Sequence, residues 1–348
     1  MSGAAFAPGV ARRPALAPIL AVSVAALAAL CLIAAGSGGV SIAATRILAE
    51  LFGDPGAGLS SREAAILVQI RLPRIVLAAF VGASVAGAGA ALQGLFRNPL
   101  ADPGLIGVSG GAAFAATAAI VLGAAGALVV PLAAFAGGVV ATALIFGLAR
   151  VNGGVSASGM LLVGIAINAL SGAGIGVFGY IGTDIQLRQI SLWTLGSLAG
   201  ATWETVIPAA ALMTAGTAGL LARARAMDVF VLGEREAFAL GLSPVRFTVE
   251  VVLLAALAVG ASVAVAGPIG FLGLVVPHIA RMCLGPSHPR LMAVGLLVGA
   301  AGLVGADTLA RTLAMPAEIP VGLLLSLAGA PFFLWLLRRA ARSGGGHA

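Results

Sequence analysis

The chain contains no lysine: all 19 of its basic residues are arginine. A P-loop needs a lysine to hold a nucleotide phosphate, so the chain is not its own ATPase of that kind. Charge of either sign is scarce, at 9% of 348 residues, against roughly 25% in an ordinary soluble domain. With 60% of residues hydrophobic, lipid must be the solvent for most of the chain. The two cysteines, Cys31 and Cys283, lie far apart in apolar surroundings. That excludes a disulfide framework and leaves no second ligand at metal spacing. No HExxH and no paired acids occur within the apolar runs, which argues against a hydrolase working inside the bilayer. Aromatics are only 5%, whereas glycine alone contributes 50 residues. Small side chains suit helices whose backbones approach closely in lipid.

Apolar runs long enough to cross a bilayer, at about 17 to 25 residues each, fall near 15–35, 75–95, 105–125, 127–148, 157–178, 205–222, 247–267, 270–284, 291–307 and 320–337. The expectation is an all-α membrane protein of about ten helices in a single domain over 1–348. The first run follows Arg12 and Arg13 and is long enough to span, so it is read as an uncleaved helix rather than a signal peptide. With residues 1–14 in the cytoplasm, thirteen arginines fall on the cytoplasmic side and six (Arg46, Arg62, Arg71, Arg74, Arg188, Arg311) on the other. The positive-inside rule then puts both ends, including the tail 338–348, in the cytoplasm. The net charge of +7 belongs to helix ends, not to a nucleic-acid-binding face.

Two stretches repeat: 81–89 reads VGASVAGAG and 259–267 reads VGASVAVAG. In this topology their helices run in opposite directions, as in transporters built from inverted repeats, although an Ala/Gly/Val-rich chain also produces such matches by chance. RNPLADPG at 97–104 holds two residues forced into extended geometry by a following proline, so one helix stops and another restarts. The longest polar inward-side stretch, 223–246, fits two short helices joined by a kink. It has too little apolar area to fold on itself, so it rests on the membrane surface or in a partner's groove. On the outer side, Arg71 and Arg74 flank the start of the second span and Arg311 occupies the loop before the last. Such arginines grip a partner's carboxylates, or snorkel and pair with Glu63, Asp307 or Glu318. His278, in the Gly/Pro-broken segment 266–281, is either a packed histidine or a haem ligand or proton carrier. The spans hold almost no ionisable groups at depth. An ion-coupled carrier needs one, and Glu250 is the nearest candidate.

From about residue 40 the chain resembles permeases of the FecCD type, which import vitamin B12, ferric siderophores and haem. The resemblance is carried in order by RLPR at 71–74, LQGLFRNPLADPGLIGVSGG at 92–111, WTLGSLAGATW at 193–203, LGEREAFALGL at 232–242 and GPIGFLGLVVPHIAR at 267–281. ADTLAR at 306–311 and PAEIPVG at 316–322 extend it. It implies the type II ABC importer permease fold with an inverted repeat, in a bacterial inner membrane. The working unit would be a homodimer bound to two cytoplasmic ATPase subunits and fed by a periplasmic binding protein. ATP and Mg would then sit on the partner, with no cofactor on this chain.

Residues 223–246 become coupling helices on the ATPase, with Arg223, Arg225, Gly233, Glu234, Arg235, Glu236, Leu240 and Gly241 the residues concerned. Arg71, Arg74 and Arg311 correspond to arginines that meet acids on the binding protein. The loop 150–158, with Asn152, Ser156 and Ser158, matches a cytoplasmic gate, and Asn168 and Ser171 of the fifth span should line the route. The stretch 181–203 looks more like haem permeases than the rest, which makes haem the expected cargo, with a ferric siderophore or vitamin B12 as alternatives. An ion-coupled secondary transporter is the competitor from another class.

Overall fold

A computed structural model describes residues 15–53, 58–123, 126–151, 154–155 and 157–344. The chain opens with α1 (Leu16–Gly36), apolar along its length, followed by the short α2 (Ala44–Phe52). Ser60 and Glu63 then cap each other's backbone N–H groups at the start of α3 (Ser61–Ala65), a capping box that satisfies two otherwise orphaned donors. The helix continues through a π-helical stretch, Ile66–Arg71, into α4 (Leu72–Leu95). Pro73 stands just past the wide turn. Its missing N–H and its ring both disrupt the regular ladder, and a π-bulge absorbs such a disruption. The second span therefore begins about four turns earlier than hydropathy indicates, and Arg71 and Arg74 lie inside a helix rather than at its entrance.

A 3-10 turn (Pro103–Ile106) leads to α5 (Val108–Val121), then α6 (Val129–Leu148). Strands β1 (Arg150–Val151) and β2 (Gly154–Val155) pair antiparallel before α7 (Ala157–Ile181), α8 (Asp184–Thr194) and α9 (Trp203–Ala222). The polar stretch forms α10 (Ala224–Phe230) and α11 (Glu234–Ala239), the two short helices the sequence predicts. The chain finishes with α12 (Pro244–Ala266), α13 (Leu272–Leu284), α14 (His288–Thr312) and α15 (Val321–Gly344). Among the described residues seven helices are long and apolar enough to cross a membrane, and three shorter apolar ones, in α5, α13 and α15, complete the expected ten. Arg311 falls in the last turn of α14, not in the loop after it, because the apolar run ends before the helix does.

Helix α4 is the hub. Nearly all of it from Leu77 onward is buried, with α14, α12, α9 and α13 packed around it. Because lipid is as apolar as leucine, such packing depends on close van der Waals fit between small residues. A Cβ on Gly82 would lie 2.2 Å from the Gly299 carbonyl oxygen of α14, so those backbones meet only because both positions are glycine.

The packing also supports the inverted repeat. Helix α4 rests on α13 and α14, and α12 rests on α5 and α6, so the first helix of each half sits on the second and third of the other. The repeated VGAS places Gly82 against α14 and the matching Gly260 against Phe135 of α6. The second helix of each half is short, at 14 and 13 residues, about 20 Å at 1.5 Å per residue and less than the hydrocarbon core. Each follows a Gly/Pro break, and the two breaks touch where Gly273 faces Pro103.

Candidate functional site

Three places combine polar chemistry with position. The first lies at the end of the bundle carrying α2, α3 and α8. The open C-terminal carbonyls of α1 are taken by arginines: Arg71 donates to the Ala35 oxygen at 2.5 Å and to Val40, and Arg311 donates to Ser37 at 3.1 Å and to Ala34. Such orphaned helix-end carbonyls require outside donors. Arg74 reaches Asp307 through Nε at 2.9 Å and Nη2 at 2.9 Å, a bidentate pair, and Glu318 through Nη1 at 2.8 Å. Glu63 is taken by Arg46 at 2.6 Å.

The three arginines predicted from sequence are thus brought together, lining a cavity of about 540 Å³ with Ile66, Ile70 and Glu318. Their side chains are turned inward, with residue exposures of only 4% (Arg71), 7% (Arg74) and 8% (Arg311). Three guanidiniums face two carboxylates, so the cavity keeps one surplus positive charge. The Arg311 Nε is buried with no hydrogen-bond partner.

The second place is the knob at the opposite end. Gly233 (φ +139°) and Gly241 (φ +86°) bracket α11; in both cases the backbone adopts a conformation that side chains disfavour. Ala237 and Phe230 anchor the knob, Phe230 stacking on Phe247 of α12 at 5.1 Å and beneath the Arg97 guanidinium at 5.4 Å. Arg97 also lies 3.8 Å from Glu234, and Arg223 pairs with Glu250 at 3.0 Å. The acid nearest to an ion-coupling role is therefore neutralised. Leu232 (66%), Phe238 (70%) and Leu240 (65%) stand exposed beside the exposed Arg225, Arg235 and Glu236. Apolar side chains so open, rimmed by charge, mark a surface that another body covers.

A link that sequence reading missed ties the knob to the core. Asp228 of α10 accepts from the His288 backbone N–H at 2.8 Å and lies 2.7 Å from His288 Nδ1, while Ser287 reaches it at 3.4 Å. The ring of His288 is buried against Gly94 of α4, where a Cβ would lie 2.4 Å from Nε2. Only the dipeptide Ser-His before a proline at the start of α14 hinted at it, through its resemblance to a capped helix start.

The third place is the pair of breaks. Gln93 donates to the Gly273 oxygen at 3.3 Å and accepts from Arg281 at 3.0 Å, and Asn168 donates to the Gly104 oxygen at 3.2 Å. These side chains satisfy carbonyls freed where helices stop, as a low-dielectric surrounding demands. In the link between α4 and α5, burial pushes the Asp102 carboxyl above its ordinary range, and the Gly104 N–H at 2.8 Å opposes that.

Asn168, half-buried, and Ser171, buried, sit on the inward side of α7, where Asn168 meets the Gly104 carbonyl, and the open side of α7 carries Leu162, Ile165, Leu170, Val177 and Tyr180. Asn152 and Ser156 lie outside the described residues, and Ser158 is in the first turn of α7. His278 is half-buried and makes no hydrogen bond among the described residues, which also hold no group of three His, Cys, Asp or Glu able to bind a metal.

Comparison with known proteins matches this arrangement. The hemin transport system permease protein HmuU of Yersinia pestis is 48% identical over 286 residues, covering 80% of this chain and 85% of that one. The cobalamin import system permease protein BtuC of Halobacterium salinarum is 44% identical over 281 residues, covering 81% and 75%. A solved structure of a metal-chelate type ABC transporter, in an inward-facing conformation, superposes with a TM-score of 0.81 at 32% identity, over 93% of this chain and 99% of that one. The fold is accordingly that of an ABC importer permease. With residues 26–339 matching its description, the chain belongs to the FecCD transport family.

Proposed function

We propose that the chain is the transmembrane subunit of an ATP-binding cassette importer that carries haem, or a similar iron-bearing macrocycle, into the cytoplasm across a bacterial inner membrane. Two copies enclose the route between them. Two ATPase subunits, which hold ATP and Mg, dock beneath the knob, and a periplasmic binding protein delivers cargo at the arginine-lined cavity. This chain contributes no catalytic group and no cofactor. The positive-inside distribution of arginine supports placing the knob and both termini in the cytoplasm.

The observation that carries the reading is the knob. A chain without lysine, and so without a P-loop, presents Leu232, Phe238 and Leu240 to a partner, and a groove in an ATPase covers such a helix face. The cavity at the other end supports the docking role in a specific way. The Glu318 side chain, 46% exposed against 3% for Asp307, is the weaker held partner of Arg74, so an acid from the binding protein replaces it while Asp307 keeps the guanidinium aimed. Closure of the ATPase pair moves the knob, and the motion passes through Asp228–His288 and Arg97 to α14 and α4, opening one side of the route as the other shuts. The similarity to a hemin permease supports haem as cargo.

The test is uptake into proteoliposomes holding the permease, its ATPase and its binding protein. Haem accumulates only with ATP, and excess cobalamin leaves the rate unchanged. Equal uptake of cobalamin would reassign the cargo.

A further inference from the structure

We infer that the cleft between α6 and α12 is a binding site for an anionic phospholipid, one acyl chain filling the cleft while Arg150 and Arg246 hold the phosphate. The cleft has a volume of about 560 Å³. Phe135, Val139 and Phe146 of α6 form one wall and Val252, Leu253 and Leu257 of α12 the other. Val139 and Leu253 are exposed, so the cleft opens sideways toward lipid. From Phe135 to Gly147 it follows α6 for about 18 Å at 1.5 Å per residue, a length suited to an extended acyl chain.

Charge sits at one end of this apolar cleft only. Arg150 is the one ionisable residue in its lining, and its guanidinium lies 5.0 Å from the centre of the Phe146 ring. That cation–π contact holds the charge at the mouth while leaving its N–H groups open. Arg246 arrives from the opposite wall. It is exposed and continues the stripe of Val249, Leu253 and Leu257 by one turn, since positions three and four apart share a helix face. Among the described residues neither arginine is paired with a carboxylate, and the nearby acid Glu250 is held by Arg223 at 3.0 Å.

An occupant must therefore be apolar for most of its length and anionic at one end, and it must lie at the level where α6 ends and α12 begins. An anionic glycerophospholipid of the leaflet on the knob side meets all three conditions, and a basic pocket between membrane helices is a known kind of lipid headgroup site. A zwitterionic lipid offers the same phosphate but carries an ammonium beside it, so it brings no net negative charge to the two guanidiniums. A second copy of the chain would have to bring carboxylates into the cleft.

The experiment is native mass spectrometry of the purified full-length protein, equilibrated with equal amounts of phosphatidylglycerol and phosphatidylethanolamine of the same chain length. Each arginine near the surface is worth about a fivefold preference for an anionic lipid, so the protein retains phosphatidylglycerol by roughly twenty-five to one. Arg150→Gln lowers the ratio about fivefold, and the double variant with Arg246→Gln brings it close to one. Gly147→Leu fills the mouth, where an added Cβ meets no atom within 4 Å, and it releases both lipids while the delipidated variant melts at the temperature of the delipidated wild type. Equal retention of the two lipids by the wild type overturns the assignment, as does an unchanged ratio in the double variant. A change of oligomeric state in Gly147→Leu overturns it too, by giving the cleft to a second copy.

Discussion

Arg74 shows how this bundle tolerates charge. Its guanidinium meets Asp307 through two nitrogens and Glu318 through a third, so none of its cost of burial is left without a partner. The two acids are unequal, because Asp307 is enclosed and Glu318 is half open. Removing one partner of a buried pair leaves an uncompensated charge, which costs about 3–5 kcal/mol, whereas a partly exposed pair is worth about 1 kcal/mol or less. Asp307→Ala should accordingly lower the thermal midpoint far more than Glu318→Ala, as read from detergent-solubilised protein. Equal shifts would mean that the cavity is wetter than its geometry indicates. Sequence placed Asp307 and Glu318 among the candidate partners of the arginines but could not choose, since the contact joins residues 233 positions apart. Nor could it tell that Arg71 and Arg311 turn inward, because what draws them is the open carbonyl end of α1, a feature of the backbone rather than of any side chain.

At the scale of elements, the knob depends on its seat. Helices α10 and α11 have 7 and 6 residues, too few to be stable alone, since isolated helices below about 12–15 residues are marginal in water. Asp228–His288 on one side and Arg97 with Phe230 on the other fix them to α14 and α4. Asp228→Ala leaves a buried imidazole without its partner, so amide exchange over 224–239 should quicken at least tenfold while α4 stays protected. Unchanged exchange would show that Phe230 alone holds the knob. The two short helices were legible from the polar, Gly-bracketed stretch 223–246. The short run at 270–284 already announced α13, whereas the shortness of α5 within 105–125 was not legible, since a Gly/Pro-broken apolar run has the same hydropathy whether it is helical or extended. The early start of the second span was missed because its first four turns carry Arg62, Glu63, Arg71 and Arg74, which a hydropathy window discards even though Ser60 and Glu63 spell a capping box.

For the whole molecule, ten apolar runs were readable because lipid permits little else, and the order of the motifs led to the family. What composition could not supply is the arrangement of the halves. Gly82 against Gly299 and Gly273 against Pro103 are close approaches that any glycine-rich chain could make in many places. Once the halves are packed, the molecule has a charged cavity at one end, a partner-seeking knob at the other and few free charges between them, the design of a conduit powered from outside. The most direct test reconstitutes the purified chain in sealed vesicles with and without its ATPase subunits and measures haem accumulated once uptake reaches a steady level. The expected result is concentrative, ATP-dependent uptake in the complete assembly and no accumulation above the external concentration for the chain alone. Accumulation against a gradient by the chain without its ATPase would contradict the account.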